Sequence, residues 1–471
     1  MTDLYGIDLP TVPEPTEADR AALDRVLDFL RPAPIPVPLR RIGGTQDGAY
    51  LVPDDLDGIA ACFSPGVNNF KSFEDALLSD HDIDAHMCDR SSDEGALATP
   101  LVPGRQSFER KWLDVTGAED AIRLEDWVAR RAPGDADLLL QMDIEGAEYR
   151  NLIATPRETL RRFRIIVLEL HGLDRLADAG AVRAVFAPLA EALGRDFVCA
   201  HAHPNNARPA VTIGDRWMPI LLEVTLLRRD RLDRPGTQVP PQLPHDLDID
   251  ANMPHRPPVF LGDAWQDGGR SAAARARETE ITLAWHDREA VAHAGLAETM
   301  PRLVRAMARA QGRSPRPPAD TGPERARGAP FVLSAAATGQ PGRGTVGPAE
   351  PFFFQTAPTG YFPMITVDLG RSLRLWRIEV DNRSDRLFGA LRDLVALVHD
   401  TDDPWDGMAV GLRPPPPVLA GRRRGFGRDL PGLGGRYLTL TIPHRRAFHL
   451  SDLRVWGTDP DPAHTERKGQ S

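Results

Sequence analysis

Three carboxylates stand within six residues in "LLLQMDIEGAEYRNL" (138–152): Asp143, Glu145 and Glu148. They follow three leucines and a methionine directly. Two carboxylates about 4 Å apart repel by about 4 kcal/mol at an effective dielectric of about 20. Such a pair calls for a cation, a shared proton or intervening solvent. A sulfonium, an amino group, a metal ion or an arginine would supply the charge. Glu148 also has a plain role, because an acid in a first helical turn suits the helix dipole. "IIVLELHG" adds Glu169 and His171, and "CAHAHPNNA" adds His201, His203, Asn205 and Asn206. Histidine titrates near neutral pH, so His171 and His203 are candidate general bases, with Asp143 as an alternative. If Asp143, Glu169 and a histidine converge, they could hold a divalent cation that lowers the pKa of a hydroxyl.

These groups need elements to hold them. Apolar runs alternate with helical stretches from about residue 40 to 230. The runs are "GIAACFSPG", "DIDAHMCD", "FERKWLDVT", "DLLLQMD", "FRIIVLEL", "DFVCAHAH" and "MPILLEVTLL". This alternation predicts a largely parallel sheet with helices on both faces. Ligands of such sheets bind beyond the carboxyl ends of the strands, where the acids and histidines stand. Strand alternation predicts that Asp143 and Glu145 share a face. Ser72 and Asp75 resemble a capping box opening a helix. An amphipathic helix is expected over 16–31, with Leu23, Val26, Leu27 and Leu30 on one face. Residues 232–275 read as a long connection, and 278–312 as a helix pair around Pro301. Beyond 330, short alternating runs between Gly, Pro and Asp clusters predict an antiparallel β-sandwich. Its Trp376 and Trp456 read as core, and its Arg383 and Arg392 as partners of internal carboxylates.

The 471 residues suffice for two large domains or three smaller ones. The expected divisions are a lead-in over 1–37, an α/β domain over 38–275, a helical linker over 276–330, the sandwich over 331–460 and a disordered tail over 461–471. The net charge of −10 argues against nucleic-acid binding, and no apolar run is long enough for a membrane span. Three cysteines, Cys62, Cys88 and Cys199, suggest reduced thiols. The acidic, proline-broken N-terminus is unlike a secretory signal, so a cytoplasmic location is expected.

In order, "RIGGTQDGAYLVPD", "CFSPGVNNFKSFEDAL", "HMCD", "LQMDIEGAEYRNL", "VLELHG" and "HAHPNN" resemble the FkbM-type S-adenosylmethionine-dependent methyltransferases over about residues 38–230. The resemblance implies an α/β class I methyltransferase (Rossmann-like) domain and methyl transfer to oxygen. It implies a cofactor loop from Ser64 through Gly66 to Asn68, with Glu74 in the following helix. Asp89 would take the ribose and Asp114 the adenine, with Asp143 near the reacting methyl. Asn68 stands where a second glycine might be, and Asn tolerates left-handed backbone. "MITVDLG", "LWRIEVDN" and "LRVWG" resemble a discoidin-type, galactose-binding-like (jelly-roll) domain over about 331–458. Such domains often bind glycans, and Trp405 in "DTDDPWDG" is placed to meet a sugar.

The expected activity is S-adenosylmethionine-dependent O-methylation of a sugar hydroxyl on a saccharide or glycan acceptor, with a divalent cation as a further candidate cofactor. Asp143, Glu169, His171 and His203 would be catalytic. Glu145, His201, Asn205, Asn206 and Trp405 would contact substrate. The rivals are a metal-dependent hydrolase of a glycan or phosphoester, using the same groups, and a non-catalytic glycan-binding protein.

Overall fold

Every side chain from Leu138 to Met142 is buried, and this strand is the middle of a seven-stranded sheet. The computed structural model describes residues 16–460, except 46, 214–215, 267–268, 314–316, 338–340, 350–351, 358–359, 383–392 and 413–424. Along the chain the strands are β1 (Ala61–Pro65), β2 (Asp84–Cys88), β3 (Gln106–Glu109), β4 (Leu138–Met142), β5 (Phe163–His171), β6 (Phe197–Pro204) and β7 (Leu221–Arg228). Their order is β3-β2-β1-β4-β5-β7-β6. Pairs among β1 to β5 are parallel, whereas β7 runs antiparallel to both β5 and β6. Each of the seven apolar runs contributes one strand. "FERKWLDVT" divides, because only Gln106–Glu109 joins the sheet and Trp112–Leu113 pairs separately with Ala121–Ile122.

Strands covered on both faces read as continuous apolar runs, and the covering layers are visible here. Leu138, Leu140 and Met142 face a cluster shared with helices α1 (Glu17–Leu30), α3 (Leu124–Arg131), α4 (Glu148–Ala154) and α5 (Ala187–Gly194). Leu139 faces the opposite cluster, built from a hairpin (Leu39–Ile42 with Tyr50–Pro53) and helix α2 (Ser72–His81). Val26 and Leu30 bury the expected face of α1, whose capping box pairs Thr16 with Asp19. No such box opens α2: its N-cap is Lys71, without a side-chain cap, and Asp75 turns to Lys71, Thr99 and Gln106.

By contacts the chain divides into Met1–Thr282 and Leu283–Ser471. Helix α6 (Ala272–Ala310) is one element of 39 residues, not the expected pair. Pro301 removes one backbone donor, but Leu303, Ala306 and Ala310 beyond it are buried in the β unit's core clusters, which holds that half helical.

The β unit comprises β8 (Pro330–Leu333), β9 (Arg343–Thr345), β10 (Met364–Asp381), β11 (Leu394–His399), β12 (Met408–Leu412), β13 (Gly425–Thr441) and β14 (Asp452–Thr458). All their pairings are antiparallel, in the order β9-β8-β10-β13-β11-β12, with β14 also on β10. The two runs "MITVDLG" and "LWRIEVDN" form the single strand β10. Its register shifts after Asp368 and after Leu375, and its two ends pair with different strands around one core. The unit is an antiparallel β-sandwich.

The second bulge corrects the expectation for the tryptophans. Leu373, Leu375, Ile378 and Val380 face the core, and the three-residue step between Leu375 and Ile378 leaves Trp376 outside. Trp376 covers Gly432 and donates to Thr458 Oγ1 at 3.0 Å. Trp456 is likewise half-buried, with Val455 inward. Arg383 and Arg392 lie outside the described residues. By this register Leu375→Ala should cost about 2–5 kcal/mol and Trp376→Ala less than that, measured by urea unfolding.

Candidate functional site

Strand order reverses between β1 and β4, the place where an open α/β sheet leaves a crevice at its carboxyl rim. The two strand ends are pinched together there. Asp143 N–H donates to the Pro65 carbonyl at 3.3 Å. Gly66 has φ +92°, and a Cβ at that position would overlap the carbonyl oxygen of Asp143. Only glycine fits this approach. Asn68 and Asn69 follow at φ 41° and 64°, so asparagine does serve the left-handed turn.

One register row carries titratable side chains across three strands, and Asp143 extends it just past the end of a fourth. His203 of β6 pairs with Glu223 of β7, and Glu223 pairs with Glu169 of β5. Met142 pairs with Leu168, which sets Asp143 beside Glu169. Glu223 was not singled out from the sequence; its signal was one acid inside the otherwise apolar "LLEVTLL". Asn205 Nδ2 donates to Glu169 at 2.8 Å and to Glu223 at 3.2 Å. Asn252 Nδ2 donates to Glu223 at 2.7 Å and to Asp47 at 2.8 Å. Asn252 comes from the segment expected to be a mere connection.

Two amide donors do not balance this much negative charge. Burial, then the Asp143 charge, pushes the Glu169 carboxyl well above its ordinary range. Burial raises Asp143 too. Asp143 keeps 29% of its side chain exposed, so the proton shared by the pair resides on Glu169. Burial, followed by Asp143, Glu223, Glu169 and Asp47, keeps the Tyr50 phenol protonated.

His171 closes the β5 end of the row. Its Nδ1 lies 3.1 Å from the Glu169 carbonyl and 3.3 Å from Glu148 Oε1. Nε2 faces Glu145 at 3.5 Å and Asp143 at 3.9 Å. Tyr149 Oη donates to the His171 carbonyl at 2.7 Å, fixing the strand end. Burial opposes the imidazolium, but Glu148 above all raises the His171 pKa. Glu148 is fully buried and accepts from Ile144 N–H at 2.8 Å, so it shapes the turn as well as starting α4. Glu145 does not continue the strand. β4 ends at Met142, and Glu145 sits in the turn at φ 56°, its carboxylate at the mouth and 89% exposed. Alternation therefore fails to relate it to Asp143.

His201 and His203 are held by other side chains. His201 Nε2 lies 2.8 Å from Asp248, and His203 lies 3.5 Å from Asp248 and 3.2 Å from Asn252. Burial disfavours a charged His203, yet Asp248 overcomes this and raises it to about 9. His203 is buried with its ring nitrogens facing Asp248 and Asn252, so the structure gives it a partner role within the protein. His201 is buried, with its Nε2 taken up by Asp248. Asn206 pairs with both N–H and C=O of Met253, at 2.8 and 2.9 Å, and anchors that segment instead of a substrate.

Several expected cofactor contacts are taken by the protein. Ser64 and Glu74 lie in a buried network with Gln141 and Tyr50. Ser64 has one hydrogen and two oxygen neighbours, so a protonated Glu74 completes the count; burial raises Glu74 to about 7. Asp89 accepts four hydrogen bonds, from Ser91 N–H and Oγ, Ser92 Oγ and Asn68 N–H. That fills a carboxylate, so Asp89 clamps two loops and is not open to a ribose. Asp114 follows the separate short strand and pairs with Arg150. The acid that ends the third sheet strand is Glu109, held by Arg130 and Arg131. In the β unit, Trp405 is 7% exposed and packs edge-on against Phe362 at 5.4 Å, so its face is not offered to sugar. Among the described residues no helix is long and apolar enough to cross a membrane, and the three cysteines are free and buried.

Neither a protein-family model nor a curated protein matches the chain. Solved structures do. A fucose-binding module from Streptococcus pneumoniae is similar at 15% identity, over 28% of this chain and 97% of that one, with a TM-score of 0.24. The C-terminal domain of a chitobiase from Bacteroides fragilis is similar at 16%, over 30% and 100%, with a TM-score of 0.23. A fucolectin from striped bass serum is similar at 18%, over 30% and 49%, with a TM-score of 0.24. At these values function must be argued from the site itself.

The buried groups fix a pH dependence. Glu74, at about 7, keeps its proton after the unfolded chain has lost it at about 4.3, and Glu223 is raised in the same sense. Stability therefore falls as pH rises across that window. His203 contributes fully below its unfolded value of about 6.5 and loses this contribution as pH rises through about 9. The melting temperature should fall from about pH 5 to about pH 9. Glu223→Gln should flatten the lower half of that fall and melt higher than wild type at about pH 8, read by calorimetry.

Proposed function

We propose that the α/β unit is an S-adenosylmethionine-dependent O-methyltransferase acting on a saccharide hydroxyl. The observation that carries this reading is the largely buried anionic row of Asp143, Glu169 and Glu223 beside Gly66, at the strand ends where strand order reverses. Open α/β sheets bind ligands at such strand ends, and a positive centre suits this row. The resemblance around "DIEGAE" supports the same class. The residues fit the cofactor in part: Gly66 permits close approach, the row opposes the sulfonium charge, and Asp89 acts through the loop it holds.

The cofactor, when bound, supplies an electrophilic methyl group. The chain's own work is to align an acceptor hydroxyl and remove its proton. Alignment can be worth about 7–11 kcal/mol. His171, with Nε2 open toward Asp143 and Glu145, is the base of this reading, and Glu148 orients it through Nδ1. A metal-dependent hydrolase would use Asp143, Glu169 and His171 as well, but needs no S-adenosylmethionine.

We infer that the β-sandwich binds saccharide and holds acceptor near the α/β unit through the chain that links them. Its antiparallel architecture and the discoidin-type resemblance support this. Tethering raises the effective acceptor concentration without new contacts at the catalytic site.

Calorimetry with S-adenosylhomocysteine should give saturable binding to wild type and to His171→Ala, while His171→Ala loses about 10²–10⁴-fold in transfer rate. Absent binding to wild type would remove the methyltransferase reading. Deleting residues 331–471 should lower transfer to a polymeric glycan more than to its monosaccharide. An equal effect on both would count against tethering.

A further inference from the structure

We infer that Asp143, Glu169 and His171 form a divalent-cation site of the Mn²⁺/Mg²⁺ class. One carboxylate oxygen from each acid and one imidazole nitrogen lie within 4.8 Å of one another. Adjacent ligands of an ion with bonds of about 2.1 Å stand about 3 Å apart. Side-chain rotation closes the difference, and Asp143 at 29% exposure has the freedom to rotate. Glu145, exposed and 3.5 Å from His171 Nε2, can complete the set from the solvent side.

The surroundings are those of a metal centre and not of three acids that happen to meet. A metal-bound imidazole gives its other ring N–H to a carbonyl or carboxylate, which fixes the tautomer. His171 Nδ1 is so engaged, by the Glu169 carbonyl and by Glu148 Oε1. That leaves Nε2 bare toward the acids. Glu169 is steadied by Asn205 at 2.8 Å, as ligating carboxylates are. Glu148 is the independent sign. It is wholly buried, and its Oε2 has no hydrogen-bond partner among the described residues. A buried carboxylate oxygen so placed is short of a donor, and the His171 ring beside its other oxygen is the route by which charge reaches it. A cation on Nε2 supplies charge through the ring, and on its other side it meets the carboxyl oxygens of Asp143 and Glu169.

Oxygen ligands with a single imidazole favour Mn²⁺ or Mg²⁺ over zinc or copper, which prefer more nitrogen or sulfur. The cation's use, lowering the pKa of a bound hydroxyl, takes over the part of His171 as base, because an ion-bound Nε2 accepts no proton; it rests on the methyl-transfer reading above. The site itself does not.

The test uses the full chain, stripped with chelator and titrated with Mn²⁺ alone, followed by electron paramagnetic resonance. Saturation at one ion per chain is expected, with a nitrogen coupling from one imidazole in the wild-type signal. His171→Ala should lose that coupling, and Asp143→Asn should weaken binding at least about 10-fold. Glu148→Gln, which touches no ion, should weaken it about 10–100-fold. Asn206→Ala, outside the cluster, should bind as wild type. The proposal is overturned if wild type shows no saturable Mn²⁺, or if saturable Mn²⁺ shows no nitrogen coupling. The wild-type coupling decides the matter even if the variants misfold. Mn²⁺ binding without S-adenosylhomocysteine binding would keep the site and end the methyltransferase reading.

Discussion

Carboxylates stacked in one register row, largely out of water and short of positive charge, are the constraint from which the rest of the α/β unit follows. Cross-strand neighbours in a sheet have nowhere to retreat, so Glu169 and Glu223 must take up protons, amide donors or a cation. The chain supplies some of each. Glu169 keeps a proton, Asn205 bridges it to Glu223, and His203 and Asp248 form a charged pair at the far end. What is left uncompensated lies at the end nearest β4, around Asp143 and His171. Hydrophobic residues would fill such a row at lower cost, so its acids are not there to stabilise the fold.

Supporting parts come from distant places in the chain. The turn after β4 is held by Glu148 from the helix that follows and by Gly66 from the strand alongside. Asn252 and Asp248 come from the segment after β7, and Asp47 and Tyr50 from the hairpin before β1. The irregular stretch beyond the sheet thus serves as a wall of the site. Asp89, with all four acceptor positions filled, plays the same part for the loop after β1, since it ties Asn68 to Ser91 and Ser92.

The β unit shows how a single extra residue redirects a surface. Bulges in β10 let one long strand serve two directions of pairing around one core, and the second turns Trp376 outward. Trp405 went the other way. A loop of aspartates around a tryptophan reads as a sugar contact, but Phe362, Leu397 and Leu303 gather on it and bury it. A residue's neighbours in sequence do not set its exposure when the loop folds back onto the core.

Strand number and order of elements were legible in the residues, because a strand covered on both faces must be apolar throughout and Gly, Pro and Asp mark its ends. So was the gathering of Asp143, Glu169 and His171, since each follows an apolar run and such sheets collect strand ends at one rim. Registers and partners were not legible. That Glu223 stands between His203 and Glu169, that Asp89 is saturated, that Asp114 falls past the sheet and that His203 holds a proton all depend on which backbone lies beside which. Pairing of distant strands is settled by the packing of the whole core, and a shift of one residue moves every side chain to the other face. Periodicity along the chain therefore fixed what faces inward in each element, while tertiary contacts alone decided which inward-facing groups meet.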